Sequence, residues 1–192
     1  LGRLLAPFYA YVIFPDSSVS NFYKRLIRDV VHFDERIYKC AHVITRWLGA
    51  YSSLHARRGD FQYSSSSNEE VVLRSVKRGE VLYVASESLH GFSAFDRAGR
   101  PVVSLAYLLD LQRRQKRHII IERRLDGLSM PPHEVWAALE NIREHEYGFV
   151  DVLVAAEGRT FTGTWFSTFS GLIQRIRGYR GKNDKDTFFS SR

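Results

Sequence analysis

Apolar positions recur along this chain with more than one period, and the period changes several times. From Ser20 to Leu48 they fall three or four residues apart, at Phe22, Leu26 and Val30 and then at Ile37, Ala41, Ile44 and Leu48. That spacing predicts two helices, with Asp34 placed to cap the second. Ser52 to Arg57 reads as a short strand running into Arg58-Gly59-Asp60, followed by the polar loop SSSSN, Ser64 to Asn68, and a helix beginning at Glu69-Glu70. VLYVAS, Val81 to Ser86, is apolar without alternation, the pattern of a strand covered on both faces.

The second half continues the alternation. Val102 to Leu109 and His118 to Ile121 are weaker strand or mixed segments, and Pro131-Pro132 interrupts the chain. Glu134 to His145 is helical, Tyr147-Gly148 is read as a break, and Val150 to Ala156 as a second helix. Arg159 to Thr162 is a short strand, and Ser167 to Arg177 closes as a helix. Strands separated by helices predict a Rossmann-like α/β domain with a mostly parallel sheet. No repeat or linker divides the 192 residues, so residues 1–192 are expected to form a single domain.

Composition adds limits rather than a function. Hydrophobic content of 44%, with 14% aromatics, is that of a globular chain able to bury a core. The longest apolar run, Leu4 to Phe14, contains Pro7 and falls short of the ~20 residues a membrane-spanning helix needs. The chain begins on leucine, which reads as a segment of a longer protein, and any targeting signal or membrane anchor would then lie upstream. A single cysteine, Cys40, excludes an internal disulfide, and the seven histidines lack paired metal-ligand spacing. A net charge of +7 favours anionic partners. The basic residues scatter through amphipathic segments instead of interleaving with aromatics, which argues against nucleic acid. The one dense cluster, RRQKR at Arg113 to Arg117, reads as a solvated helix end or loop.

Two segments carry the candidate chemistry. In LHARRGD, Leu54 to Asp60, strand alternation puts His55 and Arg57 on one face and Leu54 and Ala56 on the other. The polar pair then leaves the sheet at its C-terminal edge, where open α/β sheets bind ligands, and arginine offers a planar fork matched to diphosphate oxygens. The bland alternative is a surface pairing of Arg58 with Asp60 in a solvated turn. An adhesion signal at Arg58-Gly59-Asp60 is a third, although a tripeptide recurs too often by chance to weigh much. In FTGTWFSTFSGLIQRIRG, Phe161 to Gly178, Gly163 is expected to end a strand, and Ser167 or Thr168 stands where a helix cap belongs. Such a helix start either presents N–H groups to a phosphate or is an ordinary cap. Glu87, directly after VLYVAS, is either an acceptor for a nucleobase or sugar hydroxyl or a cap for the next segment.

Taken together, LHARRGDFQY, VLYVASES and YGFVDVLVAAEGRTFTGTWFSTFSGLIQRIRGYRG resemble three consecutive motifs of the GDP-fucose protein O-fucosyltransferase family. The resemblance covers most of the chain from about Ala6. It implies a GT-B glycosyltransferase of two Rossmann-like halves, of which this chain is the C-terminal, nucleotide-binding half without the N-terminal acceptor-side half. By the same resemblance His55 and Arg57 are the family's His-x-Arg pair, with Arg57 as the catalytic contact to the diphosphate and Arg58 and Asp60 beside them in the donor site. Ser167, Thr168 and Phe169 match its Ser-Thr-Phe, which holds phosphates. Glu87 stands where the family has aspartate, in a Thr-Asp-Glu written here as Ser86-Glu87-Ser88, so the carboxylate of the base-recognition position sits one methylene further out.

The activity implied is transfer of fucose from GDP-fucose to a hydroxyl of a protein serine or threonine or of a glycan, with inversion and without a metal or other cofactor. The general base is expected from the missing half, and the location implied is the endoplasmic reticulum or Golgi. A nucleotide-sugar-binding or glycan-binding module that keeps the pocket without turnover is the alternative.

Overall fold

The computed structural model describes residues 16–30, 32–56, 72–86, 92–117, 128–165 and 167–190. Two helices, α1 (Ser17–Val30) and α2 (Glu35–Leu48), come first, in the places the periodicity predicts. Asp34 caps α2 by accepting the Arg36 N–H at 3.1 Å, and Ile37, Cys40, Ala41, Ile44 and Leu48 form its buried stripe. Five strands follow: β1 (Tyr51–His55), β2 (Val81–Ala85), β3 (Val102–Val103), β4 (Phe161–Thr164) and β5 (Thr187–Ser190). They form one sheet in the order β3-β2-β1-β4-β5, every neighbouring pair parallel. Between strands lie α3 (Ser93–Arg97), α4 (Leu105–Lys116), α5 (His133–Glu140), α6 (Tyr147–Glu157) and α7 (Thr168–Tyr179), with 3₁₀ turns at Glu144–Glu146 and Asp184–Asp186. The domain is a Rossmann-like α/β fold, as expected.

Both faces of the sheet are covered, and pleat alternation assigns each side chain to a face. Tyr51, Tyr83, Ala85, Val103 and Phe161 pack with α2, α4, α5, α6 and α7. Leu54, Ala56, Leu82 and Val84 pack on the other side with Val72, Val76, Phe92 and Phe95. The polar letters of β1, YSSLH, are reconciled with complete burial by donors aimed at waiting acceptors. Tyr51 Oη donates to the Val154 carbonyl at 2.6 Å and Ser53 Oγ to the Ala155 carbonyl at 2.7 Å. These carbonyls belong to the last turn of α6, which has no intrahelical partner for them. The close approach requires Gly158, because a Cβ there would lie 2.6 Å from Ser53 Oγ and 3.1 Å from the Ser53 backbone nitrogen.

Several local readings change in the folded chain. Val102 to Leu109 is not one strand: Ser104 accepts the Tyr107 N–H at 3.0 Å and starts α4 two residues after β3 begins. Gly148 lies inside α6 and breaks nothing. The helix from Glu134 ends at Glu140, short of His145. The strand read at Arg159 to Thr162 runs instead from Phe161 to Thr164, so Gly163 is part of it and does not end it. There a Cβ would meet Phe161, Phe189 and Ser170 at 3.0 to 3.1 Å, so any side chain would press on those neighbours. β5 was not foreseen. The expected strand at His118 to Ile121 lies outside the described residues, as does the expected helix start at Glu69-Glu70. Arg113 to Arg117 form the exposed end of α4, as read. Cys40 is a core residue whose thiol burial pushes up to about 12.

Candidate functional site

A parallel sheet delivers every strand end to one edge, and the helices that follow begin there. At this edge a cavity of about 410 Å³ opens among His55 and Ala56 at the end of β1, Ala85 and Ser86 at the end of β2, and the first residues of three helices. Those residues are Leu105 and Ala106 of α4, Tyr147 and Gly148 of α6, and Phe169 of α7. Helix N-termini carry a partial positive charge that attracts an anion, while Glu144 and Asp151 on the same lining oppose one. The place agrees with the rule that open α/β sheets bind ligands outside the carboxyl ends of their strands.

His55 is held on several sides and is 7% exposed. Its ring stacks on Phe169 with centroids 4.6 Å apart and planes 30° apart, and Nδ1 lies 2.7 Å from Ser170 Oγ. Its carbonyl accepts from Thr164 Oγ1 at 2.9 Å, and the Thr164 N–H donates to Ser170 Oγ, also at 2.9 Å. The ends of β1 and β4 are thus stitched to the first turn of α7.

Across the cavity Asp151 projects from α6. Tyr83 Oη, from the middle of β2, donates to its Oδ1 at 2.6 Å. Burial pushes the Asp151 carboxyl up to about 7, although the bond from Tyr83 pulls the other way. The Tyr83 phenol is held well above its ordinary range, first by burial and then by the neighbouring carboxylate. A carboxyl poised near neutrality accepts a hydrogen bond when ionised and donates one when protonated, which suits a guest with hydroxyl or N–H groups. Glu144, in the turn before α6, is the second carboxylate on the lining.

Of the residues singled out from the sequence, His55 and Phe169 meet at the cavity. Ser167 is buried and caps α7, accepting the Ser170 N–H at 3.4 Å, and Thr168 is the exposed first residue of that helix. Neither lines the cavity. Arg57, Arg58, Asp60 and Glu87 lie outside the described residues. The described chain stops at Ala56 and Ser86, both on the lining, one residue before Arg57 and Glu87 respectively.

Sequence reading passed over Asp151, Tyr83 and Ser170. A signal for Asp151 was present: it is the lone charge within FVDVLVAA, and a carboxylate set in so apolar a stretch is uncommon. Nothing local marks Ser170 or Tyr83. Among the described residues no group of three or more His, Cys, Asp or Glu is arranged to hold a metal ion, and no helix is long and apolar enough to cross a membrane.

Fold and site together define a doubly wound α/β domain with a cavity at its carboxyl edge. No protein-family model matches the chain, and no curated protein matches it closely enough to count as a relative.

Proposed function

We propose that this chain is the nucleotide-binding half of a GT-B fucosyltransferase of the endoplasmic reticulum or Golgi, moving fucose from GDP-fucose to a hydroxyl of a protein or glycan. The observation that carries the reading is the meeting of two motif segments at the cavity. Parallel topology alone brings strand ends to one edge. It does not require the His55 ring to stack on the second residue of α7 at 4.6 Å and to bond the third, 115 positions away in the chain, at 2.7 Å.

In this reading the diphosphate sits against the helix starts, with Arg57 as its charged fork and His55 beside it. Ser167 keeps the start of α7 in shape while Thr168 and the N–H groups of its first turn bind phosphate oxygens. Asp151 and Glu87 accept from hydroxyl or N–H groups of the nucleoside, and Arg58 and Asp60 add further contacts to the donor. Transfer forms a bond from the acceptor oxygen to the anomeric carbon on the face opposite the departing GDP, as the bond to the β-phosphate oxygen breaks. The acceptor proton passes to a base outside this chain. Charge growing on the β-phosphate is met by Arg57 and the helix dipoles, which are strongest catalytically where charge develops, and no metal is assigned to the step.

Calorimetric titration of GDP-fucose into the full-length protein, repeated with GDP-mannose, tests the reading. Tight binding of GDP-fucose, with GDP released once a hydroxyl acceptor is added, is the expected result. Failure of any guanosine diphosphate sugar to bind would overturn it. Binding without release under any acceptor would reduce the protein to a module that holds the nucleotide sugar.

A further inference from the structure

Ser170 has no solvent-accessible surface, so its hydroxyl must find its partners inside the protein. A serine hydroxyl has one proton to donate and two lone pairs to accept with. Among the described residues its Oγ has two partners, the Thr164 N–H of β4 at 2.9 Å and His55 Nδ1 at 2.7 Å. The amide is a donor in every state, so it takes a lone pair of Oγ. The remaining neighbour, Nδ1, has two possible roles. If Nδ1 carried the ring proton, Oγ would receive two donors and its own proton would be left without an acceptor in a buried place, at the cost such groups incur. If Nδ1 is bare, it accepts the Ser170 proton and every group is satisfied.

We infer that Ser170 is a positioning residue that holds His55 in the tautomer protonated on Nε2, making the cavity-lining ring a hydrogen-bond donor and not a proton acceptor. Phe169, stacked on the ring face, restrains its remaining rotation. The ligand half of this inference rests on the proposed function: a neutral ring offering N–H suits a phosphate or departing oxyanion and cannot serve as the general base. The tautomer half stands without any ligand.

The test is a long-range proton–nitrogen spectrum of the full-length protein with ¹⁵N-labelled histidine, ligand-free and at mildly alkaline pH, with His55 assigned by the signal that His55→Gln removes. The expected spectrum shows Nδ1 bare and Nε2 protonated. A protonated Nδ1, or an even mixture, overturns the inference. Ser170→Ala should release the preference to a mixture and weaken GDP binding on the order of ten-fold. A Ser170→Ala protein that keeps the single Nε2 tautomer would remove Ser170 from the role. If that variant fails to fold, the wild-type spectrum still decides. The expected tautomer in a protein that binds no GDP would strike the fucosyltransferase reading and leave the Ser170–His55 assignment standing.

Discussion

At the edge where the strands begin, Arg177 donates to the carbonyls of Ala156 and Gly158 at 3.2 and 2.6 Å, to those of Arg159 and Asp186 at 3.3 Å each, and to Thr187 Oγ1 at 3.2 Å. At the edge where they end, Asp151 holds one bond from Tyr83 and turns toward an open cavity. Both groups are ionisable, yet one is fully buried and spends every donor on the fold while the other is partly exposed and keeps capacity for a guest. The same contrast runs through their neighbours. Glu80 binds Arg159 through both carboxylate oxygens at 2.8 and 2.6 Å and also accepts from Ser52, closing the entry to β1, β2 and β4. Burial pushes the Glu80 carboxyl up, but the bonds from Arg159, the Lys77 N–H and Ser52 outweigh it and hold it below its ordinary value. Burial of a polar group is therefore no mark of function in itself; what distinguishes the two edges is whether its hydrogen-bonding capacity is used up.

The largest effect that could break this comparison is expected at Arg177. Replacing it by methionine strips five donors from four carbonyls and a hydroxyl packed inside the lower edge, at a cost on the order of 3–5 kcal/mol. For a domain of this size the melting temperature should drop by roughly 10 °C, and if the chain binds GDP as proposed, that affinity should stay intact in the fraction that stays folded. A variant melting with wild type would mean that the lower edge is not the structural lock described.

Next in size is the pH response of Asp151. Its folded-state pKa of about 7 lies above its ordinary 3.8, so between those values the folded state keeps a proton that the unfolded chain has lost. Stability contributed by that proton is complete below pH 3.8, falls as pH rises through the window, and levels off above 7. The change amounts to roughly 2–4 kcal/mol. Asp151→Asn should flatten the curve between pH 4 and 7, read as melting temperature against pH. Glu80→Gln should act in the opposite direction at the other edge. The stability Glu80 contributes is present above 4.5 and is lost as pH falls through its lowered folded value, so the variant should flatten the acid limb. Identical profiles for both variants would erase the distinction between the edges.

Arg57→Ala comes third. If Arg57 meets the diphosphate, its loss should weaken GDP binding by about 1.5–3 kcal/mol and leave the melting temperature of the ligand-free protein nearly unchanged, the reverse of Arg177→Met. Arg57→Lys should be impaired as well, since a point charge does not replace a two-pronged contact. Unchanged affinity in both variants would take Arg57 out of the site.

The smallest effects sharpen the comparison within one turn of α7. Ser167→Ala, the buried cap, should cost ~1 kcal/mol of stability, and Thr168→Ala, on the exposed first residue, almost none. If the helix start binds phosphate, Thr168→Ala should weaken GDP while its apo melting stays put. Wild-type GDP affinity in both would make this turn structural alone.

Local pattern carried the architecture well where one residue's neighbours along the chain decide its state. The stripe from Ile37 to Leu48 with Asp34 ahead of it, the unbroken apolar run of β2, and Ser167 before Leu172 and Ile173 each have a local cause, and each formed as read. It failed where a distant contact decides. Gly148 and Gly163 looked like interruptions because glycine is locally permissive. In the fold the first simply continues α6, and the second lies within β4 where two rings and a helix leave little room for a side chain. β5 escaped notice because Thr187 to Ser190 is only four residues long and gains its pairing from β4.

From sequence alone came the alternation of strands and helices, the absence of internal disulfides, the basic charge, and His55 and Phe169 as site candidates. All but the last follow from periodicity and residue chemistry, which act over one or two turns, and Phe169 came from the family resemblance. Tertiary structure alone decided which residues meet at the carboxyl edge. Asp151 and Tyr83 stand 68 positions apart and His55 and Ser170 115 apart, and no short window of sequence shows that either pair meets. Whether a buried polar group ends saturated, like Arg177, or poised at a cavity, like Asp151, depends on the partners that packing brings to it, and chain order does not encode those partners within any short window.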